Sequence, residues 1–234
     1  MLVCDMQNPS SDGALTDSEW KDIQLKETML QLIARISSRV FLGEELCRNE
    51  DWLRVTKEYT VTAFNAAHEL RLYPFIFRPI VFLFLKSCKK ARQQIAEARR
   101  VIEPVFKRRE QLKRDAAERG EDYKGFNDAI DWFEIEAEGV KYDPAVIQLG
   151  LSLAAIHTTT DLVTQTLCDI AKHPEIKDEL RQEIVDVIGK EGWSKQALYK
   201  MKLLDSTIKE SQRIKPISMS KCTMHQFLTA SNIK

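Results

Sequence analysis

Turn-forming residues are scarce in this chain. Eight glycines and seven prolines in 234 residues leave few places to reverse direction, so long helices with few turns are expected. No stretch shows strand-like alternation of polar and apolar residues, and the expected fold is mainly α. Five cysteines, Cys4, Cys47, Cys88, Cys168 and Cys222, are widely spaced. Without a CxxC pair or a Cys/His zinc pattern, they are expected to be free thiols of a reducing compartment. Neither sign of charge is in excess: 35 Lys and Arg offset 35 Asp and Glu. Net neutrality removes any general attraction to nucleic acid or anionic membrane. Asp5, Pro9, Asp12 and Gly13 exclude a signal peptide. The most apolar run, residues 75–85, contains Arg78 and Pro79 and is too short for a bilayer. No transmembrane segment is therefore expected, and the chain as given is expected to be cytoplasmic. Common catalytic signatures are absent too. HTTTD at 157–161 is not the HExxH of a zinc protease, and there is no glycine-rich phosphate loop or GxSxG elbow. His68, His173 and His225 have no Cys or acid at ligand spacing and are expected to be structural or surface groups.

What the chain does contain is one long apolar segment, residues 143–172, with a polar cluster at its centre. His157, Thr158, Thr159, Thr160 and Asp161 interrupt its helical pattern. Three consecutive threonines are poor helix formers because β-branching restricts χ1. Their hydroxyls can bond carbonyls one turn back and bend the helix. Other helices are expected from a cap at Thr16, Asp17 or Ser18 to about Ser38, and from near Asn49 to Leu70. Pro74 and Pro79 bracket an aromatic segment, expected to be a loop entering a buried helix. His173-Pro174 ends the central helix and starts the next. Ser194 caps a short helix, and residues 203–214 form the last strong one.

Charge is distributed in two opposed blocks. Residues 86–119 hold twelve Lys/Arg against five Asp/Glu, and residues 120–143 hold eight acids against two lysines. The basic block is either a surface for an acidic partner, which would make the chain a non-catalytic helical interaction module, or the solvated face of one long helix. The two blocks can also pair with each other. Pro104 is expected to kink or divide the basic helix.

Two constellations carry possible chemistry. In the central cluster, a threonine hydroxyl can donate and accept at once, and His157 can titrate near neutrality. A polar crossing point between packed helices accounts for the same residues. Glu210 and Arg213 form an ExxR pair that shares a helix face, a common arrangement in itself.

In chain order the two mean more. LSLAAIHTTTD, a His-Pro, PEIKDELRQEI, KMKLLDSTIKESQR and a following KP resemble the centre of a cytochrome P-450. The similarity is specific over residues 140–217 and extends upstream through ISSRVFLGEELCRNEDWL to residue 17. The AAIHTTT variant resembles fungal oxygenases of secondary metabolism, including those acting on terpenoids. The resemblance implies that Ala154 and Ala155 face haem (heme) and substrate. It implies that Thr158 serves oxygen activation, with His157 in the place of the usual acid, and that Glu210 and Arg213 stabilise the core beside the haem. It also implies a lipophilic substrate, a reductase and an endoplasmic-reticulum membrane for the complete protein.

The family holds its iron through a cysteine in F-x-x-G-x-x-x-C-x-G, several tens of residues beyond ExxR. Only 21 residues follow Arg213 here, and Cys222 in SKCTMHQF lacks the matching Phe and Gly. No axial metal ligand is expected among these residues, nor is the Pro/Arg segment that completes the ExxR network. The expectation is a partial P-450 fold that lacks the membrane anchor, most β-sheet and the ligand loop, and that is catalytically inactive by itself. Residues 1–16 are expected to be a leader, 17–217 the partial domain and 218–234 an unrelated tail. The apolar face at Val146, Leu149, Leu153 and Leu162 is expected to lie partly exposed.

Overall fold

In the computed structural model, residues 22–216 are described. The proposed leader, the tail and the caps at Thr16 to Ser18 lie outside them. Among the described residues the regular structure is helical, with no β-strand. The described residues divide into two compact units, one of residues 27–160 and one of residues 22–26 with 161–216.

The first unit is built on α1 (Leu25–Leu46), α2 (Glu50–Arg71), α3 (Arg78–Phe84), α4 (Lys86–Arg119), α5 (Ala129–Glu136) and the first part of α6 (Pro144–Lys172). Helix α1 continues past the expected end at Ser38. Its break comes at Gly43, whose φ of 74° and ψ of −164° are open to glycine alone. Asn49 starts α2 by accepting a hydrogen bond from the Trp52 amide at 2.9 Å. The core gathers Ala34 and Leu42 of α1, Trp52, Leu53 and Val55 of α2, Ile102 of α4, Ile130 of α5, and Leu149 and Ile156 of α6. Burying each large side chain contributes roughly 1.5–3 kcal/mol. The Trp52 indole N–H, fully buried, donates to Ser38 Oγ at 3.1 Å, so the ring brings no unpaired donor inside.

Pro104 does not divide α4, which runs unbroken for 34 residues. It removes one N–H from the ladder, but Ala98, Ile102, Val105 and Arg109 on either side are buried and hold the helix in place. The aromatic segment corrects another expectation. Residues 75–77 form a short 3₁₀ turn and α3 follows, yet neither contains a buried residue. Alternation of proline with apolar residues cannot distinguish an element that enters the core from one that lies on the surface.

The opposed charge blocks pair with each other. Arg109 binds Asp128 and Asp131, Lys113 meets Glu134, and Arg99 holds Asp143 at 2.5 Å. Lys107 pairs with Glu103 one turn away and Arg108 with Glu45 of α1. Much of the basic block is therefore internal wiring. Asp143 also accepts from the Ala145 amide at 3.0 Å, which caps α6. Burial pushes its carboxyl up, but the hydrogen bond and charge of Arg99, with the backbone amides, outweigh this and hold it below the usual carboxylate range. A depressed carboxylate pKa stabilises the fold above the unfolded value, and that contribution disappears as pH falls through the folded value. Replacing Arg99 with leucine is accordingly expected to lower the urea midpoint near neutral pH and to leave it nearly unchanged once Asp143 is protonated. An equal loss at both pH values would rule out this link.

In the second unit, α6 ends at Lys172 and Pro174 opens α7 (Pro174–Glu191). Ser194 caps α8 (Lys195–Lys200) through the Ala197 amide at 3.1 Å, and α9 (Lys202–Ile214) follows. Leu180, Ala197, Met201 and Ser211 are buried.

Candidate functional site

The polar cluster sits within an unbroken helix, α6. Two of the three threonines turn inward on the backbone. Thr158 Oγ1 donates to the Ala154 carbonyl at 2.5 Å, and Thr160 Oγ1 to the Ile156 carbonyl at 2.7 Å. Back-bonding of this kind lets β-branched hydroxyl residues stay in a helix. With its proton committed to Ala154, Thr158 offers only its oxygen lone pairs outward. Ala154 is exposed, and Ala155 and Thr158 are half-buried. Gly150, Ala154 and Thr158 follow one another at four-residue steps, and a Cβ at Gly150 would meet nothing within 4 Å. Together they leave a shallow face of small groups along the helix. Leu149 is fully buried, contrary to the expectation of exposure, whereas Val146 is exposed.

His157 does not share that environment. Its Nε2 lies 3.0 Å from the Lys57 carbonyl in the interior of α2. A carbonyl only accepts, so Nε2 carries the proton and Nδ1 is the ring nitrogen left as an acceptor. His157 also borders a cleft of about 590 Å3 lined by Arg54, Lys57, Glu58, Val61 and Lys90, among others. Two of these cations are engaged: Lys57 donates to Gln31 Oε1 at 2.6 Å, and Arg54 pairs with Glu97. Sequence patterns held no sign of this cleft, because it depends on how α2, α4 and α6 meet.

Glu210 and Arg213 lie on α9. Arg213 Nε and Nη2 donate to the two Glu210 carboxyl oxygens at 2.8 and 2.6 Å. The arginine's hydrogen bond and charge depress the Glu210 pKa, and the carboxylate raises that of Arg213. Both side chains are more than half exposed, so the pair adds little stability by itself. What positions it is Glu183 of α7, whose two carboxyl oxygens accept from the Leu203 and Leu204 amides at 2.8 and 2.9 Å. These are the free donors of the first turn of α9.

Buried ionic chemistry lies elsewhere, at residues that sequence patterns did not mark as a site. Arg109, 3% exposed, donates to both Asp128 oxygens at 2.8 and 2.5 Å and to Asp131 at 3.3 Å. Its guanidinium lies over the Phe126 ring at 4.2 Å. Burial opposes the charge, but Asp128 and Asp131 outweigh it and raise the arginine's pKa above its ordinary value. Asp128 also accepts from the Ile130 and Asp131 amides and so caps α5. The signal available in sequence was the opposed charge of residues 109 and 128–131.

A long helix with a central His-Thr-Thr-Thr followed by an ExxR helix, in a segment without strands among the described residues, is the arrangement of a partial cytochrome P450 fold. The chain belongs to the Cytochrome P450 family, whose profile matches residues 12–232. It is 50% identical over 222 residues to a cytochrome P450 monooxygenase of Gibberella fujikuroi, covering 94% of this chain and 50% of that protein. It is 45% identical to Cytochrome P450 monooxygenase adrA of Penicillium rubens (88% of this chain, 40% of the relative) and 49% identical to Cytochrome P450 monooxygenase hepE of Aspergillus oryzae (87% and 37%). The chain thus spans half or less of the length of these relatives.

Complete family members hold haem. The small groups at Gly150, Ala154 and Thr158 leave room for a flat macrocycle against this stretch of the helix. The cysteine-thiolate segment known for this family is not among the 234 residues. Among the described residues, Cys47 and Cys88 are buried in the first unit, and Cys168 lies half-buried on α6. By length and composition α6 could also cross a membrane, but Ala145, Leu149 and Ile156 on it belong to a protein core.

Proposed function

We propose that these residues are the central part of a fungal haem-thiolate monooxygenase that oxidises a lipophilic secondary metabolite, with a terpenoid as the first class to test. The observation that supports this best is the α6 face, where Thr158 stands beside Ala154 and Ala155. Bound haem supplies dioxygen activation in such enzymes. The chain's own part is to present an acceptor oxygen at Thr158 and the imidazole ring of His157, to exclude water with the small apolar face, and to brace α9 through Glu210 and Arg213. A reductase and an endoplasmic-reticulum membrane go with the complete protein. The class of substrate rests on the AAIHTTT variant of the motif.

We further propose that the 234-residue polypeptide alone does not turn over, because it contains no F-x-x-G-x-x-x-C-x-G segment. Reconstituted with haem, reduced and exposed to carbon monoxide, it is expected to give no thiolate-type Soret band, and such a band would refute inactivity. In the longer protein, Thr158→Ala is expected to lower product formation about a hundredfold, the scale of a lost proton-handling group. Unchanged product yield from a panel of terpenoids would remove Thr158 from the chemistry. The competing role, an interaction module using the basic face, is weakened by the pairing of Arg99, Lys107, Arg108, Arg109 and Lys113 with acids.

A further inference from the structure

Two features of the first unit meet at His157. On α6, positions 150, 154, 157 and 158 fall within a sector of roughly 100°, given 3.6 residues per turn. The ring therefore stands at the edge of the face of small groups. It is also a wall of the cleft that α2 and the start of α4 line. The cleft lies wholly within the first unit. At about 590 Å3 it falls in the usual range for small-molecule sites, roughly 300–1,000 Å3.

The chemistry of the wall is mixed. Leu30 and Val61 are its apolar residues, and the stems of Arg54, Lys57 and Lys90 add hydrocarbon between polar tips. Several of those tips are occupied. Arg54 pairs with Glu97 and lies 3.5 Å from Asp51. Glu69 accepts from Ser87 Oγ at 2.6 Å, and Glu58 from Gln94 Nε2 at 3.4 Å. Lys57 commits one of its three N–H groups to Gln31.

Thr62 is different. Thr56 and Thr60, earlier on the same helix, turn their hydroxyls back onto the Leu53 and Thr56 carbonyls at 3.1 and 3.3 Å. Such back-bonding is an ordinary solution for a threonine within a helix. Thr62 is 7% exposed and lines the cleft, and it makes no side-chain hydrogen bond among the described residues. A hydroxyl on so enclosed a residue gains from any partner that enters the cleft. Asn65 stands about one turn further along the same face. It too lines the cleft without a side-chain partner among the described residues. Between them they offer both donors and acceptors. An all-hydrocarbon ligand would cover these groups unanswered, whereas a ligand oxygen would meet them.

We propose that the cleft receives the oxygenated end of the substrate, with Thr62 as its specificity-determining residue and Asn65, Lys57 and Lys90 as further contacts. The substrate class is then a terpenoid that already carries a hydroxyl or carboxyl group, rather than a bare hydrocarbon. An earlier reaction must install that group before the substrate reaches this chain. The rest of the skeleton lies toward the α6 face, since His157 belongs to both. The assignment rests on the oxygenase reading for the meaning of that face, but ligand binding in the cleft needs no haem and is tested without it.

Equilibrium dialysis of the 234-residue chain against farnesene, farnesol and farnesoic acid presents one carbon skeleton with no oxygen, a hydroxyl or a carboxyl group. Both oxygenated forms are expected to bind about tenfold more tightly than farnesene, the scale of one or two net hydrogen bonds. Thr62→Val keeps the branched shape and removes the hydroxyl. It should lower farnesol affinity about fivefold and leave farnesene affinity unchanged. The urea midpoint should stay where it is, because no internal hydrogen bond is lost; if it moves, Asn65→Leu, at an exposed position, replaces the variant with the same loss expected. Thr62→Ser should restore farnesol binding. Equal binding of the three compounds, affinities indifferent to the loss of the hydroxyl, or no binding would each overturn the proposal. None of these results alters the carbon monoxide spectrum or the outcome of Thr158→Ala, so the oxygenase reading stands or falls separately.

Discussion

Asp128→Ala is expected to destabilise the first unit by about 3–5 kcal/mol, the usual consequence of removing one partner from a buried ion pair. Arg109 and Asp128 are 3% and 2% exposed, so water cannot replace the lost carboxylate. Arg109 would retain only Asp131, at 3.3 Å, and α5 would lose the side chain that accepts from its first amides. Against a typical total of about 5–15 kcal/mol, a loss of this size brings the unit close to unfolding at ordinary temperatures. Asp128→Asn keeps a capping oxygen and one acceptor for Arg109, so a smaller loss is expected. Urea unfolding followed by circular dichroism measures both. A change below about 1 kcal/mol for the alanine variant would mean that the cluster contributes little beyond its own desolvation cost.

Gly43→Ala should rank with it, at roughly 2–5 kcal/mol. The residue sits at φ 74° and ψ −164°, where a side chain strains the backbone. An added Cβ would also lie 2.7 Å from Asp128 Oδ2 and 3.4 Å from Arg109 Nη2. The first of these distances is too short for any real contact, and the carboxylate cannot move away without giving up its arginine. The two substitutions should therefore couple. In the double variant Asp128 no longer blocks the new methyl group, so the combined loss is expected to fall short of the sum of the single losses. Strict additivity would show that backbone strain alone governs position 43.

Helix existence was legible in the sequence wherever caps and breakers spoke: Asn49, Ser194 and Pro174 bound their helices as their chemistry dictates. The central helix, its threonines and the ExxR pair were equally visible, because each depends on residues within a turn or two. Contacts across the fold were not. That residues 75–84 lie on the surface follows from their neighbours, since the same apolar letters would suit a core. That Arg109 is buried among acids depends on where the acidic block folds back. Glu183 is one of several acids in an ordinary amphipathic helix, and only the arrival of α9 gives it its role.

The partner of His157 is a main-chain atom, and this has a consequence for variation. No substitution at position 57 that leaves α2 in place can take the Lys57 carbonyl away, so side-chain drift there leaves the histidine tautomer untouched. Only displacement of α2 itself frees Nε2. The protonation geometry of residue 157 thus records whether that helix is seated, and a nitrogen-resolved NMR signal from its ring would follow helix position without any label on α2.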